Sequence, residues 1–181
     1  MTPCFTSQET MKTYCIFCQT HKATEVANIL KIKGACEAFS PQIIKRQRVQ
    51  GENVEKLYDL LPGYVFVYSE TLLNTTQLVH GVSGIIRRLG RPEDDFLLSG
   101  GDYEFAMELY KKGGVAGALP VFRQGDKVYI NDPLFNGCNG KVTRVDYKKQ
   151  RARVEFTFAG TECCTWIACE FIEKEENNLV G

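Results

Sequence analysis

Six basic side chains between positions 141 and 153 form the most chemically suggestive group in this sequence. Arg151 and Arg153 are two residues apart, which places them on one face of a strand, with a lysine pair in the adjacent turn. Asp146 is the single acid in the interval. Cations gathered in this way bind phosphate groups, so the pattern indicates either a nucleic-acid surface or a solvated hairpin. The members of this group, here called the basic ribbon, are Lys141, Arg144, Lys148, Lys149, Arg151 and Arg153.

Two further basic clusters lie in the first half of the chain. Arg87, Arg88 and Arg91 follow a predicted strand, and residues 45–48 read Lys-Arg-Gln-Arg. Each cluster is interpreted as a phosphate contact or as a solvated face. The whole chain carries 22 basic and 22 acidic residues, so no net field attracts it to nucleic acid. Any nucleic-acid site must therefore be a local patch.

The eight cysteines raise the question of a metal site, since Cys15-x-x-Cys18 has a zinc-ligand spacing. Residues 13–19 have the composition of a strand, however, where positions three apart point to opposite faces. Only two histidines occur. We therefore expect buried or incidental thiols, no metal and no cofactor. No nucleophile with a base, phosphate loop or acid pair is recognisable, so no catalytic residues are predicted and the chain is not expected to be an enzyme.

The remaining elements predict an α+β first domain with helices on a largely antiparallel sheet. Strands are expected at 13–18, 36–39, 43–49, 64–68 and 84–89, and helices at 22–33, 72–80 and 99–110. Tyr64, Phe66 and Tyr68 share one strand face, with Val65 and Val67 on the other. The valines suit the core. The aromatic row is either a partner-binding patch or a face covered by a helix of the same domain.

The second half contains only strand signals and predicts an all-β barrel of five strands. Residues 125–146 are expected to form two strands joined as a hairpin, with Gly137 and Gly140 where β-carbons would clash. The predicted organisation is a disordered N-terminus (1–11), a first domain (12–112), a glycine-rich flexible linker (113–120), the barrel (121–174) and a tail (175–181). No apolar run long enough to cross a bilayer and no signal core occur. The chain is therefore expected to be a cytoplasmic monomer.

The hairpin at 125–146 resembles the KOW motif, and its combination with Pro62-Gly63-Tyr64 and the glycine linker resembles NusG-type transcription elongation factors. The resemblance implies an NGN-like domain followed by an SH3-like KOW barrel. It also implies that the first domain binds the clamp helices of RNA polymerase. The positions that match this contact are Phe17, Leu61, Tyr64 and Phe66. Asn74-Thr75-Thr76-Gln77 loosely matches the segment that contacts the polymerase gate loop.

The barrel sequence resembles specialised paralogs of this family, of the LoaP and RfaH kind. Ala159 stands where general members carry the aromatic residue that binds Rho or a ribosomal protein, while the basic ribbon adds charge. The resemblance implies an RNA-binding, operon-targeted transcription antitermination factor that uses a leader RNA hairpin and possibly non-template DNA. The alternatives are a general NusG that couples polymerase to Rho or the ribosome, and a ribosome-associated KOW protein.

Overall fold

The computed structural model describes residues 11–172, which divide into two compact units. The first unit contains the described residues up to Ser40 together with Leu61–Ser99, and the second contains Pro41–Leu60 and the described residues from Gly100 onward. The predictions for residues 1–10 and 173–181 lie outside the described part. Among residues 11–172, no helix is long and apolar enough to span a membrane.

The first unit is built on a four-stranded sheet, and its longest helix contributes most of the helical residues in the core on one face. Its strands are β1 (Lys12–Cys18), β2 (Glu37–Phe39), β5 (Tyr64–Ser69) and β6 (Ile85–Leu89), in the order β2-β5-β1-β6, and each neighbouring pair is antiparallel. The helix α1 (Ala23–Ile32) buries Ala23, Val26, Ala27 and Leu30. These side chains join Tyr14, Ile16, Val65 and Val67 in one core. The predicted placement of the two valines is thus confirmed.

The turn before β5 requires glycine. Gly63 has a φ of +85°, and a β-carbon there would lie 2.6 Å from the carbonyl oxygen of Cys18. The Gly63 carbonyl in turn accepts a 2.8 Å hydrogen bond from the Cys18 N–H. The short helix α2 (Thr75–Val79) is capped by Asn74, whose side chain accepts from the Gln77 N–H.

The second unit includes a hairpin and a helix that precede the barrel in sequence. Strands β3 (Gln42–Val49) and β4 (Glu52–Asp59) pair antiparallel, and β7 (Val115–Ala116) joins the free side of β3 in parallel. The helix α3 (Gly100–Lys111) buries Phe105, Ala106 and Leu109. Strand β4 was not predicted from the sequence. Its residues are nearly all exposed, so the alternation that marks a half-buried strand is absent.

The barrel consists of β8 (Leu119–Gln124), β9 (Lys127–Ile130), β10 (Lys141–Asp146), β11 (Arg151–Phe158) and β12 (Thr161–Phe171), in the order β10-β11-β12-β8-β9. On β11, Ala152, Val154, Phe156 and Phe158 point inward and are buried. The five-stranded barrel and the inward Phe158 agree with the prediction.

Two details of the prediction for this region were wrong. Strands β9 and β10 do not form a hairpin: they are the two ends of the sheet, because residues 131–140 contain a 3-10 turn at Pro133–Phe135 rather than a tight loop. The segment 113–120, predicted as a tether from its glycine content, contains β7 and the start of β8. Its backbone N–H and C=O groups are used in pairing, which composition alone does not show.

Candidate nucleic-acid interface

Four members of the basic ribbon lie on the outer face of β10 and β11, and Lys148 and Lys149 lie in the turn between these strands. Their antiparallel register pairs Lys141 with Glu155, Arg144 with Arg153, and Asp146 with Arg151. A bulge between Val142 and Arg144 shifts this register. The inward residues of β11 are core, so its alternate residues must face outward. The structure therefore brings Lys141, Arg144, Arg151 and Arg153 together on one face.

Arg151 is held by neighbours on both β10 and β12. Its guanidinium lies 4.7 Å from the centroid of the Trp166 ring, and its Nε is 3.3 Å from the Asp146 carboxylate. The latter contact is an ion pair without the alignment of a hydrogen bond. The Lys149 backbone N–H, followed by the charge of Arg151, lowers the pKa of Asp146. Asp146 is therefore ionised at neutral pH and fixes the turn that carries Lys148 and Lys149.

The other ribbon cations differ in whether an acidic side chain lies close to them. Glu155 lies 3.9 Å from Lys141 and 3.6 Å from Arg153, and Arg153 also donates to the Cys164 sulfur at 3.3 Å. Within residues 11–172, no side-chain ion pair engages the remaining three cations, and all three are exposed. These three are Arg144, Lys148 and Lys149.

The cluster at 87–91 is structurally different. Arg88 donates to the hydroxyls of Thr75 and Thr76 at 2.9 and 2.8 Å, and its guanidinium lies 4.0 Å from the centroid of the Phe96 ring. Arg91 pairs with Asp94 at 2.8 Å. The Arg88 contacts join β6 to the start of α2, so this side chain stabilises the first unit. Arg87 and Arg91 remain exposed.

The cluster at 45–48 also contains an arginine that is bonded within the fold. Arg46 contacts Glu55 at 2.9 Å across the β3–β4 hairpin and Glu170 at 3.3 Å on β12. It also donates to the Cys169 carbonyl at 3.3 Å. Its side chain is only 14% exposed. Arg46 therefore joins the hairpin to the barrel within the second unit and is poorly placed to contact phosphate.

The four residues matched to polymerase contact lie at one end of the β1–β5 pair. Phe17 and Tyr64 are register partners with ring centroids 5.0 Å apart, and both are partly exposed. Leu61 and Phe66 are buried. Tyr68, the third member of the aromatic row, is buried as well. The exposed part of this row is therefore smaller than its alternation alone indicates.

The end of the barrel that contains Ala159 is covered by α3. Ala159 occupies the two-residue turn between β11 and β12 with a φ of +48°, and its N–H donates to the Asp102 carboxylate at 3.0 Å. The Phe105 ring packs between Phe156, at 5.6 Å, and Phe158, at 5.5 Å. At the other end of α3, Lys112 pairs with Asp132 at 3.0 Å.

Two residues of the interface, Glu155 and Trp166, and one residue of the covered end, Asp102, were missed from sequence. Glu155 and Trp166 lie on the same outer face as the ribbon because the registers of β11 with β10 and β12 place them there. Asp102 precedes the barrel by more than fifty residues. The alternation of β11 was a usable signal for Glu155. Trp166 required the β11–β12 register, and no local pattern links Asp102 to Ala159.

The predicted separation of Cys15 and Cys18 on β1 is present. Cys18 belongs to the core beneath α1, whereas Cys15 is the register partner of Phe66. Burial raises the pKa of the Cys18 thiol. Among the described residues, no group of three or more histidine, cysteine or acidic side chains is arranged to hold a metal.

Comparison with known proteins shows that this sequence is similar to transcription termination and antitermination proteins. Residues 11–99 match the family model described as transcription termination factor nusG. The transcription termination/antitermination protein NusG of Buchnera aphidicola (subspecies Acyrthosiphon pisum) is 24% identical over 88% of this chain and 90% of its own length. The protein of the same description from Escherichia coli O6:H1 is 25% identical over 85% of this chain and 87% of its own length. These relatives are transcription factors rather than enzymes.

A solved structure describing domain interaction in Thermotoga maritima NusG aligns with 87% of this chain and 93% of its own, at 16% identity and a TM-score of 0.47. A likeness of that size supports no conclusion about this chain. The conclusion rests instead on the family match and on the near full-length sequence alignments. Through residues 11–99 the chain belongs to the NusG family, and it is a NusG-like transcription termination/antitermination factor.

Proposed function

We propose that this protein is an operon-targeted antitermination factor that binds RNA polymerase through its first unit and a leader RNA hairpin through its barrel. The observation that supports this proposal most directly is the basic ribbon. Arg144, Lys148 and Lys149 are exposed on it with no side-chain ion pair within residues 11–172. Cations without an acidic partner are available to neutralise phosphate.

The ribbon suits a helical RNA stem better than a base-reading site. A-form RNA is recognised through its backbone and shape, because its deep major groove excludes side chains. Arg144 and Arg153 are register partners on neighbouring strands, so their guanidinium groups project from adjacent positions on one surface. Exposed Arg87 and Arg91 are candidates for contact with non-template DNA, whereas Arg88 is engaged within the fold.

The polymerase contact is proposed for the Phe17–Tyr64 pair together with the buried residues Leu61 and Phe66. The tilted ring pair is partly exposed at a strand end, which is the kind of aromatic anchor that protein interfaces use. Tyr64→Ala should reduce co-purification with polymerase. Because Phe66 is fully buried, Phe66→Ala would also perturb folding, so Tyr64→Ala is the cleaner variant.

A general NusG role is the second candidate, supported by alignment with general factors over 85–88% of this chain. The family resemblance implies that a general NusG couples polymerase to Rho or the ribosome through an aromatic residue at the position of Ala159. Here that turn is bonded to Asp102. Capture of Rho or ribosomes by the full-length protein would favour the general role.

Transcription through terminators distinguishes the two candidates. The cognate polymerase is assayed with and without the protein on the leader of its own operon and on an unrelated template. Operon-targeted action predicts readthrough confined to the leader, lost when the leader hairpins are disrupted. Equal readthrough on both templates contradicts it and indicates a general factor.

A matched pair of variants tests the ribbon. The triple variant Arg144→Gln, Lys148→Gln, Lys149→Gln should lose leader-specific readthrough. It should also reduce the salt dependence of RNA binding by about one unit of slope for each cation removed. The control variant Lys31→Gln, Lys56→Gln, Lys111→Gln removes the same charge elsewhere and should behave as the unmodified protein. Equal loss in both variants would show that only net charge matters.

A further inference from the structure

The barrel sheet is open between its two terminal strands. Because β9 and β10 stand at opposite ends of the strand order, a groove separates them. It is lined by Tyr129 and Ile130 from β9, Val142 and Arg144 from β10, and Tyr147 just beyond β10. This groove, here called the seam, lies wholly within the second unit.

Each of the two seam tyrosines stacks on a phenylalanine. Tyr129 and Phe122 have centroids 5.5 Å apart and planes inclined by 20°. Tyr147 and Phe171 have centroids 5.2 Å apart at 19°. The stacked partner fixes the plane of each tyrosine on one side. Tyr129 is nevertheless 41% exposed and Tyr147 58% exposed, so part of each residue is open to solvent at the groove that both line.

The charge at the seam complements phosphate. Lys127, Lys141 and Arg144 line it, against the single acid Asp126. Lys141 and Arg144 also belong to the basic ribbon, so the two surfaces are continuous along β10. Fixed aromatic planes next to a track of cations are the combination by which proteins bind single-stranded nucleic acid, with bases on the rings and phosphates on the cations. The cations favour this occupant over an extended apolar peptide.

We propose that the seam binds unpaired nucleotides of the RNA whose stem lies on the ribbon, with Tyr129 and Tyr147 stacking on bases and Lys141 and Arg144 binding the connecting phosphates. This inference rests on the proposed RNA-binding function. It assigns two stacking residues that the basic pattern does not contain. It also specifies that the recognised RNA is a stem joined to an unpaired segment rather than a continuous duplex.

The test compares RNAs that differ only in unpaired nucleotides. Full-length protein is titrated with the leader hairpin of its own operon and with the blunt duplex of the same stem, with fluorescence anisotropy as the readout. Tyr129→Ala and Tyr147→Ala should each weaken hairpin binding by about tenfold and leave duplex binding unchanged. Tyr129→Phe and Tyr147→Phe keep the stacking face and should retain affinity. Leu57→Ala removes an exposed apolar side chain on β4 and should have no effect.

The outcomes distinguish the proposed RNA-binding function from the proposed binding of unpaired nucleotides at the seam. If both alanine variants bind the hairpin normally while the ribbon variant does not, the RNA-binding function stands and the seam assignment is overturned. Equal loss for hairpin and duplex also overturns the seam assignment. If the unmodified protein binds neither RNA, both proposals fail.

Photo-crosslinking gives a readout that is independent of variant stability. Iodouridine is placed in the loop of the hairpin, the complex with unmodified protein is irradiated, and the crosslinked peptide is identified by mass spectrometry. Crosslinks to Tyr129 or Tyr147 support the seam. Crosslinks confined to other residues overturn it.

Discussion

The second unit contains two groups of aromatic side chains with opposite relations to solvent. At the covered end of the barrel, Phe105 from α3 packs against Phe135, Phe156 and Phe158, and all four are buried. At the seam, Tyr129 and Tyr147 stack on single phenylalanines and stay exposed. Both groups consist of closely packed rings. The covered group contributes mainly stability, whereas the seam group is available to a ligand.

The covered end also explains why one sequence interpretation was incomplete. The resemblance to the family implies that Ala159 replaces the aromatic residue by which general members bind Rho or a ribosomal protein. In the structure the same turn is bonded through its backbone to Asp102 of α3. The turn is thus part of an intramolecular contact, and the exposed aromatics of the barrel lie at the seam instead.

The largest effect expected from this comparison is on Phe105. Phe105→Ala should lower the free energy of unfolding by about 3–5 kcal/mol, because it removes a fully buried ring and leaves a cavity among three phenylalanines. Tyr129→Ala should change it far less. Urea unfolding followed by circular dichroism measures both. A similar loss for the two variants would show that the seam tyrosines are core residues.

A smaller effect is expected where α3 approaches the barrel loop most closely. A β-carbon at Gly101 would overlap the carbonyl group of Gly137. Glycine to alanine normally stabilises a helix by up to about 1 kcal/mol. Here overpacking should reverse the sign, and Gly101→Ala should destabilise the protein by about 2 kcal/mol.

Gly117→Ala is the matched control for Gly101→Ala, because a β-carbon at Gly117 meets nothing within 4 Å and its φ is not in the left-handed range. It should be neutral in the same unfolding experiment. If Gly101→Ala proves stabilising, α3 does not hold the close approach to Gly137 in solution.

The sequence predicted the elements whose burial follows a regular period. Strand β11 alternates strictly, and α1 buries residues at helical spacing, so both were recognised. The strand β4 was missed because it is exposed on both faces. The pairing of β9 and β10 was misassigned, since strand order depends on contacts distant in sequence.

The sequence predicted which residue types form the candidate sites, but it did not predict which of these side chains are already bonded to other residues of the fold. Arg88 and Arg144 are equivalent in a count of cations. In the structure Arg88 is bonded to two threonines and stacked on Phe96, whereas Arg144 is exposed with no ion pair among the described residues. Which cation is free depends on neighbours from other elements, and single-sequence patterns do not contain that information.

The smallest expected effect concerns Cys138, which lies buried near the covered end. Burial raises the pKa of the Cys138 thiol to about 12, whereas an unfolded cysteine has a pKa of about 8.5. Between these two pKa values the folded state keeps a proton that the unfolded state releases. The free energy of unfolding should therefore fall as the pH rises above about 8.5. One pH unit above that value, the loss from this thiol should be about 1.4 kcal/mol.

Cys138→Ala isolates this contribution from that of the other buried thiols. Urea unfolding of the variant and of the unmodified protein, in reducing buffer at neutral and alkaline pH, should show the steeper alkaline loss in the unmodified protein. Leu57→Ala supplies the control, because it removes an exposed side chain on β4 that does not ionise and should therefore leave the alkaline slope unchanged. Parallel slopes for all three proteins would mean that the Cys138 thiol ionises in the folded state, and that the covered end admits water as the seam does.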